Sequence, residues 1–99
     1  MKIISEFNKI IKSKKIIIIY FYSEECENIN KIVENLININ KANVNVKKYD
    51  INDTNNEALI KLLNIKSYPF FYIYKDNKLV DQILGSLNIK LLLNLYINI

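Results

Sequence analysis

The chain has 99 residues, of which 51% are hydrophobic and 24% charged, and its formal net charge is +4. Such a length and apolar content fit one domain over residues 1–99 with its own core, and they exclude a disordered chain. One cysteine and no histidine exclude an internal disulfide and leave almost no ligands for zinc or copper. All 14 basic residues are lysine, scattered except for Lys14-Lys15 and Lys47-Lys48. Nucleic-acid surfaces draw on arginine forks and basic stripes, so no nucleic-acid partner is expected. Asn, Ile, Lys and Tyr are frequent at the expense of Gly, Pro, Arg and Trp, a bias of the kind an A/T-rich coding sequence imposes. No stretch has the roughly 18 apolar residues that span a bilayer, and MKIISEFNKII lacks a signal-peptide pattern. The expectation is a cytoplasmic protein without a membrane partner.

Lys2-Ile3-Ile4 reads as a short edge strand, and Ser5 as the cap of a short helix with Phe7, Ile10 and Ile11 on one face. Ser13-Lys14-Lys15 breaks the pattern. Ile16–Tyr22 is an unbroken β-branched and aromatic run, the signature of a strand buried on both faces. After Cys26, apolar residues recur at Ile29, Ile32, Val33, Leu36, Ile37 and Ile39, which predicts an amphipathic helix ending near Asn40. Residues 44–49 read as a strand. Thr54-Asn55-Asn56-Glu57 matches a capping box before a helix with Leu59, Leu62 and Leu63 on one face and a stop at Asn64. Phe70–Lys75 and residues 79–84 read as strands joined by an Asp76-Asn77 turn. Gly85 ends the last strand, and Asn88 caps a final helix over 89–97. The early alternation of strands and helices implies parallel crossovers, and the last two strands form an antiparallel hairpin.

This order, with a single cysteine after the long strand and a single proline before the hairpin, resembles the thioredoxin family over nearly the whole chain. Phe21-Tyr22-Ser23-Glu24-Glu25-Cys26 resembles the family's F-W-A-x-W-C. Asn64-Ile65-Lys66-Ser67-Tyr68-Pro69-Phe70 resembles its Y-x-I-x-x-x-P-T. Tyr49-Asp50-Ile51-Asn52, Lys75-Asp76-Asn77-Lys78 and Gly85 fall where the family has matching features. The resemblance implies a thioredoxin-like α/β fold, a central mixed β-sheet with helices on both faces, and places Pro69 at the family's cis-proline. It also exposes departures. The family's C-G-P-C is Cys26-Glu27-Asn28-Ile29 here, so Ile29 stands at the resolving position. Glu25 replaces the preceding tryptophan, and the family's buried aspartate falls at Tyr20. A two-cysteine cycle within one chain is therefore excluded. Glutaredoxins place a lysine before the cysteine and a Gly-Gly pair after the hairpin. Glu24-Glu25 and Gly85-Ser86 stand there instead, which disfavours glutathione and a glutathione-bridged cluster.

Cys26 is expected at a helix N-terminus, where the dipole favours a thiolate by about 0.3–1 kcal/mol at an exposed site. Glu24, Glu25 and Glu27 oppose a further negative charge nearby. A thiolate there would attack a disulfide, and an external thiol would have to release the mixed disulfide. Tyr68 is expected to face the thiol and, with Pro69 and Glu25, to form the substrate-binding rim. Backbone pairing at residue 68 could hold an extended partner. Two readings stand. One is a monothiol thioredoxin-like protein in thiol–disulfide exchange and redox homeostasis, with Cys26 as nucleophile and protein thiols or disulfides as partners. The other is a non-catalytic adaptor that binds a protein through the loops around Cys26 and Pro69. A monomer without cofactor or metal is expected in either case.

Overall fold

The computed structural model describes residues 2–39 and 43–84, together with Leu93 and Leu95. The elements are α1 (Lys2–Ile10), β1 (Ile16–Tyr22), α2 (Glu27–Ile39), β2 (Val44–Asp50), α3 (Glu57–Leu63), β3 (Phe70–Lys75) and β4 (Lys78–Leu84). The sheet order is β2-β1-β3-β4. β1 runs parallel to β2 and antiparallel to β3, and β3 and β4 are antiparallel.

β1 is central because its sequence suits no edge. Successive side chains of a strand point to opposite faces. Ile17, Ile19 and Phe21 pack with Phe7 of α1 and Leu59 of α3, while Ile16, Ile18 and Tyr20 pack with Ile29, Val33 and Leu36 of α2 and with Leu93. These six of the seven β1 residues are at most 2% exposed. Full burial of an isoleucine side chain contributes about 1.5–3 kcal/mol over leaving it exposed, so β1 anchors both cores.

The N-terminus departs from expectation. Residues 2–4 are the first turn of α1, not an edge strand, and Ser5 lies inside that helix. Ile3 joins Phe7, Ile10 and Ile11 against the α1/α3 core at helical spacing, and this continuous stripe selects a helix from residue 2. The expected capping box is also replaced. Asp53, not Thr54, accepts the Asn55 N–H at 2.9 Å and opens a 3-10 turn over Thr54–Asn56. Asn56 is buried and donates its amide to the Asp50 carbonyl at 2.9 Å. Leu62 is 60% exposed, and the packed face of α3 is Leu59, Ile60 and Leu63.

Asn64 ends α3 in the left-handed region at φ 56°. The Ile65 N–H donates to the Ile60 carbonyl at 3.0 Å, which completes a Schellman-type stop. β3 then enters antiparallel to β1, whereas strand–helix alternation implied a parallel crossover. Seven helical residues span about 10 Å, and a seven-residue strand is over about 20 Å long. α3 thus leaves the chain at the end of the sheet where β2 finished, and Phe70 pairs with Phe21 there.

Asp76 and Asn77 have φ of 50° and 68°, the signs a type I′ hairpin turn requires. Asn77→Gly is expected to raise stability by about 0.5 kcal/mol, because glycine takes positive φ without a Cβ clash. Urea denaturation measures it, and a loss of stability would contradict the turn assignment. β4 begins at Lys78 and carries a bulge. Ile73 pairs with Asp81 and Tyr74 with Leu79, so Val80 has no partner of its own. Gly85, Asn88 and the expected helix over 89–97 lie outside the described residues, except Leu93 and Leu95, which are helical.

Candidate functional site

The end of β1, the start of α2 and the segment before β3 meet at one edge of the sheet. Ser23 builds the turn between β1 and α2. Its hydroxyl accepts the Glu25 N–H at 3.2 Å, and its carbonyl accepts the Cys26 N–H at 3.0 Å. Ser23 is 3% exposed, so this turn is held inside the fold. Cys26 follows at the N-cap of α2, with its carbonyl accepting the Asn30 N–H at 2.8 Å. The thiol is half-buried and free.

Cys26, Glu25, Glu27, Asn28, Ile29, Ile32 and Pro69 line a groove of about 410 Å³. A larger groove of about 760 Å³ lies between α1 and α3 and includes no cysteine. The Cys26 groove has an apolar floor and an acidic rim, since Glu24, Glu25 and Glu27 are all exposed. Ile29 is 6% exposed and belongs to the α2 core. The Tyr68–Pro69 peptide bond is cis.

Tyr68 differs from expectation. Its side chain is 42% exposed, and its hydroxyl donates to the Glu25 carboxylate at 3.3 Å instead of to the thiol. The charge of Glu25 raises the Tyr68 phenol pKa above its ordinary value, with Cys26 a smaller contributor. Tyr68 lines a separate hollow with Ile51, Ile60, Ile65, Lys66 and Ser67. Among the described residues no group of three or more His, Cys, Asp or Glu is placed to hold a metal ion. No helix among them is long and apolar enough to cross a membrane.

Sequence reasoning placed Tyr20 at the family's buried-aspartate position and did not consider Asn30, and the contact between the two was not foreseen. Tyr20 is fully buried, yet its hydroxyl donates to Asn30 Oδ1 at 2.7 Å. Asn30 Nδ2 donates to the Ser23 carbonyl at 3.3 Å. Burial, followed by the charge of Cys26, pushes the Tyr20 phenol up. The available signal was spacing. Asn30 lies four residues after Cys26, one helical turn on, and Tyr20 is a polar-tipped residue on the β1 face that α2 covers.

This geometry invites comparison with known proteins. The family model described as Thioredoxin matches residues 2–97. No curated protein matches the chain. Among solved structures, oxidised thioredoxin from Plasmodium falciparum is 27% identical with a TM-score of 0.72, covering 94% of this chain and 91% of that one. A mutant thioredoxin from Halobacterium salinarum is 21% identical with a TM-score of 0.76, covering 95% and 81%. A chain from a structure on thiol resolution of a yeast mitochondrial 1-Cys peroxiredoxin via glutathione/thioredoxin systems is 24% identical with a TM-score of 0.75, covering 95% and 87%. The family match spans nearly the whole sequence, and the sheet and its helices superpose on solved thioredoxins: the chain belongs to the thioredoxin family.

Proposed function

We propose that the protein is a monothiol member of its family that exchanges with protein disulfides through Cys26, in a reducing compartment such as the cytosol. The observation that carries this reading is the placement of a free, half-buried thiol at the N-cap of α2, in a groove bounded by Pro69. Orphan N–H groups at a helix start favour negative charge there. The Cys26 thiolate attacks one sulfur of a partner disulfide. A new S–S bond forms to Cys26, the partner's S–S bond breaks, and the second partner sulfur leaves as a thiolate. An external thiolate then attacks the mixed disulfide, forms a disulfide with the partner, and restores the Cys26 thiolate. Glu25 and Pro69 supply the rim against which the partner chain lies, and Tyr68 acts through Glu25.

The test is capture. Reduced protein incubated with a peptide carrying one accessible disulfide is expected to gain the mass of one half-peptide at Cys26. Added thiol should reverse the gain, and Cys26→Ser should abolish it. Absence of the adduct in the native chain overturns the exchange reading. The adaptor reading has one observation of its own: Ile29, at the resolving position, is packed into the core, so the groove holds a single thiol and no second reactive group at that position.

A further inference from the structure

The buried hydroxyl beneath Cys26 has a function that packing does not require. Cys26 and Asn30 stand one turn apart on α2, linked by the Asn30 N–H to Cys26 carbonyl bond at 2.8 Å, so their side chains share a face. Cys26 packs against the cluster that contains Tyr20, and the Tyr20 hydroxyl reaches Asn30 Oδ1 at 2.7 Å. The Ser23 carbonyl holds Asn30 Nδ2, which turns Oδ1 towards the phenol. A phenol has one proton to donate. In the structure that proton goes to the Asn30 amide oxygen, while the sulfur of Cys26 packs against the same cluster.

We propose that Tyr20 is a hydrogen-bond donor to the reacting sulfur of Cys26, with its single proton directed to Asn30 Oδ1 while Cys26 is a thiol or a mixed disulfide and to Sγ while Cys26 is a thiolate. Asn30 is the positioning residue that holds the proton in waiting. The inference rests on the reading of Cys26 as nucleophile and specifies how that site is tuned. No proton is transferred, because the O–H bond of Tyr20 stays intact and only its direction changes. Hydrogen bonds to charged acceptors are about twice as strong as those to neutral ones, so ionisation of the sulfur is what redirects the phenol. The same donor aids both halves of the exchange, since Cys26 is the thiolate that attacks and also the thiolate that leaves on release. A phenol is protonated, hence a donor, throughout the neutral range, and burial of Tyr20 extends that range upwards.

The other ionisable groups around Cys26 are known. Glu24, Glu25 and Glu27 come from its own loop and helix, Tyr22 from β1, and Tyr68 from the segment before β3. The described residues lining the groove include no cation. Among the ionisable groups named, Tyr20 is the fully buried donor, set against three exposed carboxylates.

The test uses the full chain and the rate of iodoacetamide alkylation of Cys26 as a function of pH, with urea denaturation to verify folding. Tyr20→Phe keeps the ring stacked on Phe71 and removes only the hydroxyl. It is expected to slow alkylation near pH 7 by about fivefold and move the profile to higher pH. Asn30→Leu keeps the volume and removes the competing acceptor. It is expected to move the profile the opposite way. The double variant should match Tyr20→Phe alone, because Asn30 acts only through the hydroxyl. A packing role would move both single variants in the same direction, or neither, and either result overturns the proposal. Peptide-disulfide capture by the unsubstituted chain is scored separately. Its absence with the opposed alkylation shifts present would sink the exchange reading while leaving the Tyr20 assignment standing.

Discussion

Phe71→Ala is expected to lower stability by about 3–5 kcal/mol, the range for removing a fully buried phenylalanine. Phe71 is 0% exposed and lies opposite Tyr20 across the β1/β3 ladder. Their rings stack with centroids 4.5 Å apart and an interplanar angle of 9°. Small domains are stable by only about 5–15 kcal/mol, so this substitution removes a large share of the total. It also removes the surface that holds the Tyr20 ring under Cys26. Urea denaturation gives the magnitude, and Phe71→Leu should retain more than half of the lost stability by refilling most of the volume. A cost below about 1 kcal/mol for the alanine variant would contradict the packing of the α2 core.

Alkaline pH is expected to produce the second large effect. Tyr20, Tyr49, Tyr72 and Tyr74 all have phenols pushed above the ordinary value of 10.0, burial being the first cause in each. The pKa values are higher in the folded state, so this contribution to stability is complete below pH 10 and is lost as pH rises towards the folded values. Above pH 10 the unfolded chain releases phenolic protons that the folded chain still holds, and stability falls. Tyr49 marks the window, since its phenol is pushed up to about 12 by burial and then by the charge of Glu6. Its hydroxyl is buried without a hydrogen-bond partner. Tyr49→Phe is therefore expected to gain about 1 kcal/mol at neutral pH by removing an unsatisfied group. Between pH 10 and about 12 it should also flatten the fall in stability by up to about 1.4 kcal/mol per pH unit. Denaturation midpoints at pH 8, 10 and 11.5 measure both effects. A slope identical to that of the unsubstituted chain would mean that Tyr49 ionises freely in the folded state.

Most of the architecture was legible because its signals are local and periodic. The β1 bounds read from the isoleucine run are those observed, and α2 and the type I′ turn follow from helical spacing and from residues that tolerate positive φ. What was missed depended on competition between neighbours. Lys2-Ile3-Ile4 looks like a strand in isolation and becomes helical because Ile3 shares a stripe with Phe7 and Ile10. Asp53 outcompetes Thr54 as the cap through a single hydrogen bond, which composition does not reveal. The direction of β3 depended on how far a short α3 can carry the chain. At the site, Cys26, Ile29 and Pro69 were visible as departures from or matches to a family pattern. Tyr20 was visible as a departure too, but its contact with Asn30 was not, because that contact joins a strand interior to a helix ten residues later.

The bulge at Val80 has a consequence for how the chain behaves in a crowd. Among the described residues β4 is an outer strand, and Leu79, Val80 and Leu84 on it are 42%, 48% and 61% exposed. A straight apolar edge of this kind would template the addition of a strand from another molecule, the first step towards fibrous aggregation. With Val80 out of register, an incoming strand loses its hydrogen-bond register after a few residues, because a bulge disrupts the ladder locally. In a sequence this rich in isoleucine and this poor in proline, that one irregular residue is a guard against polymerisation.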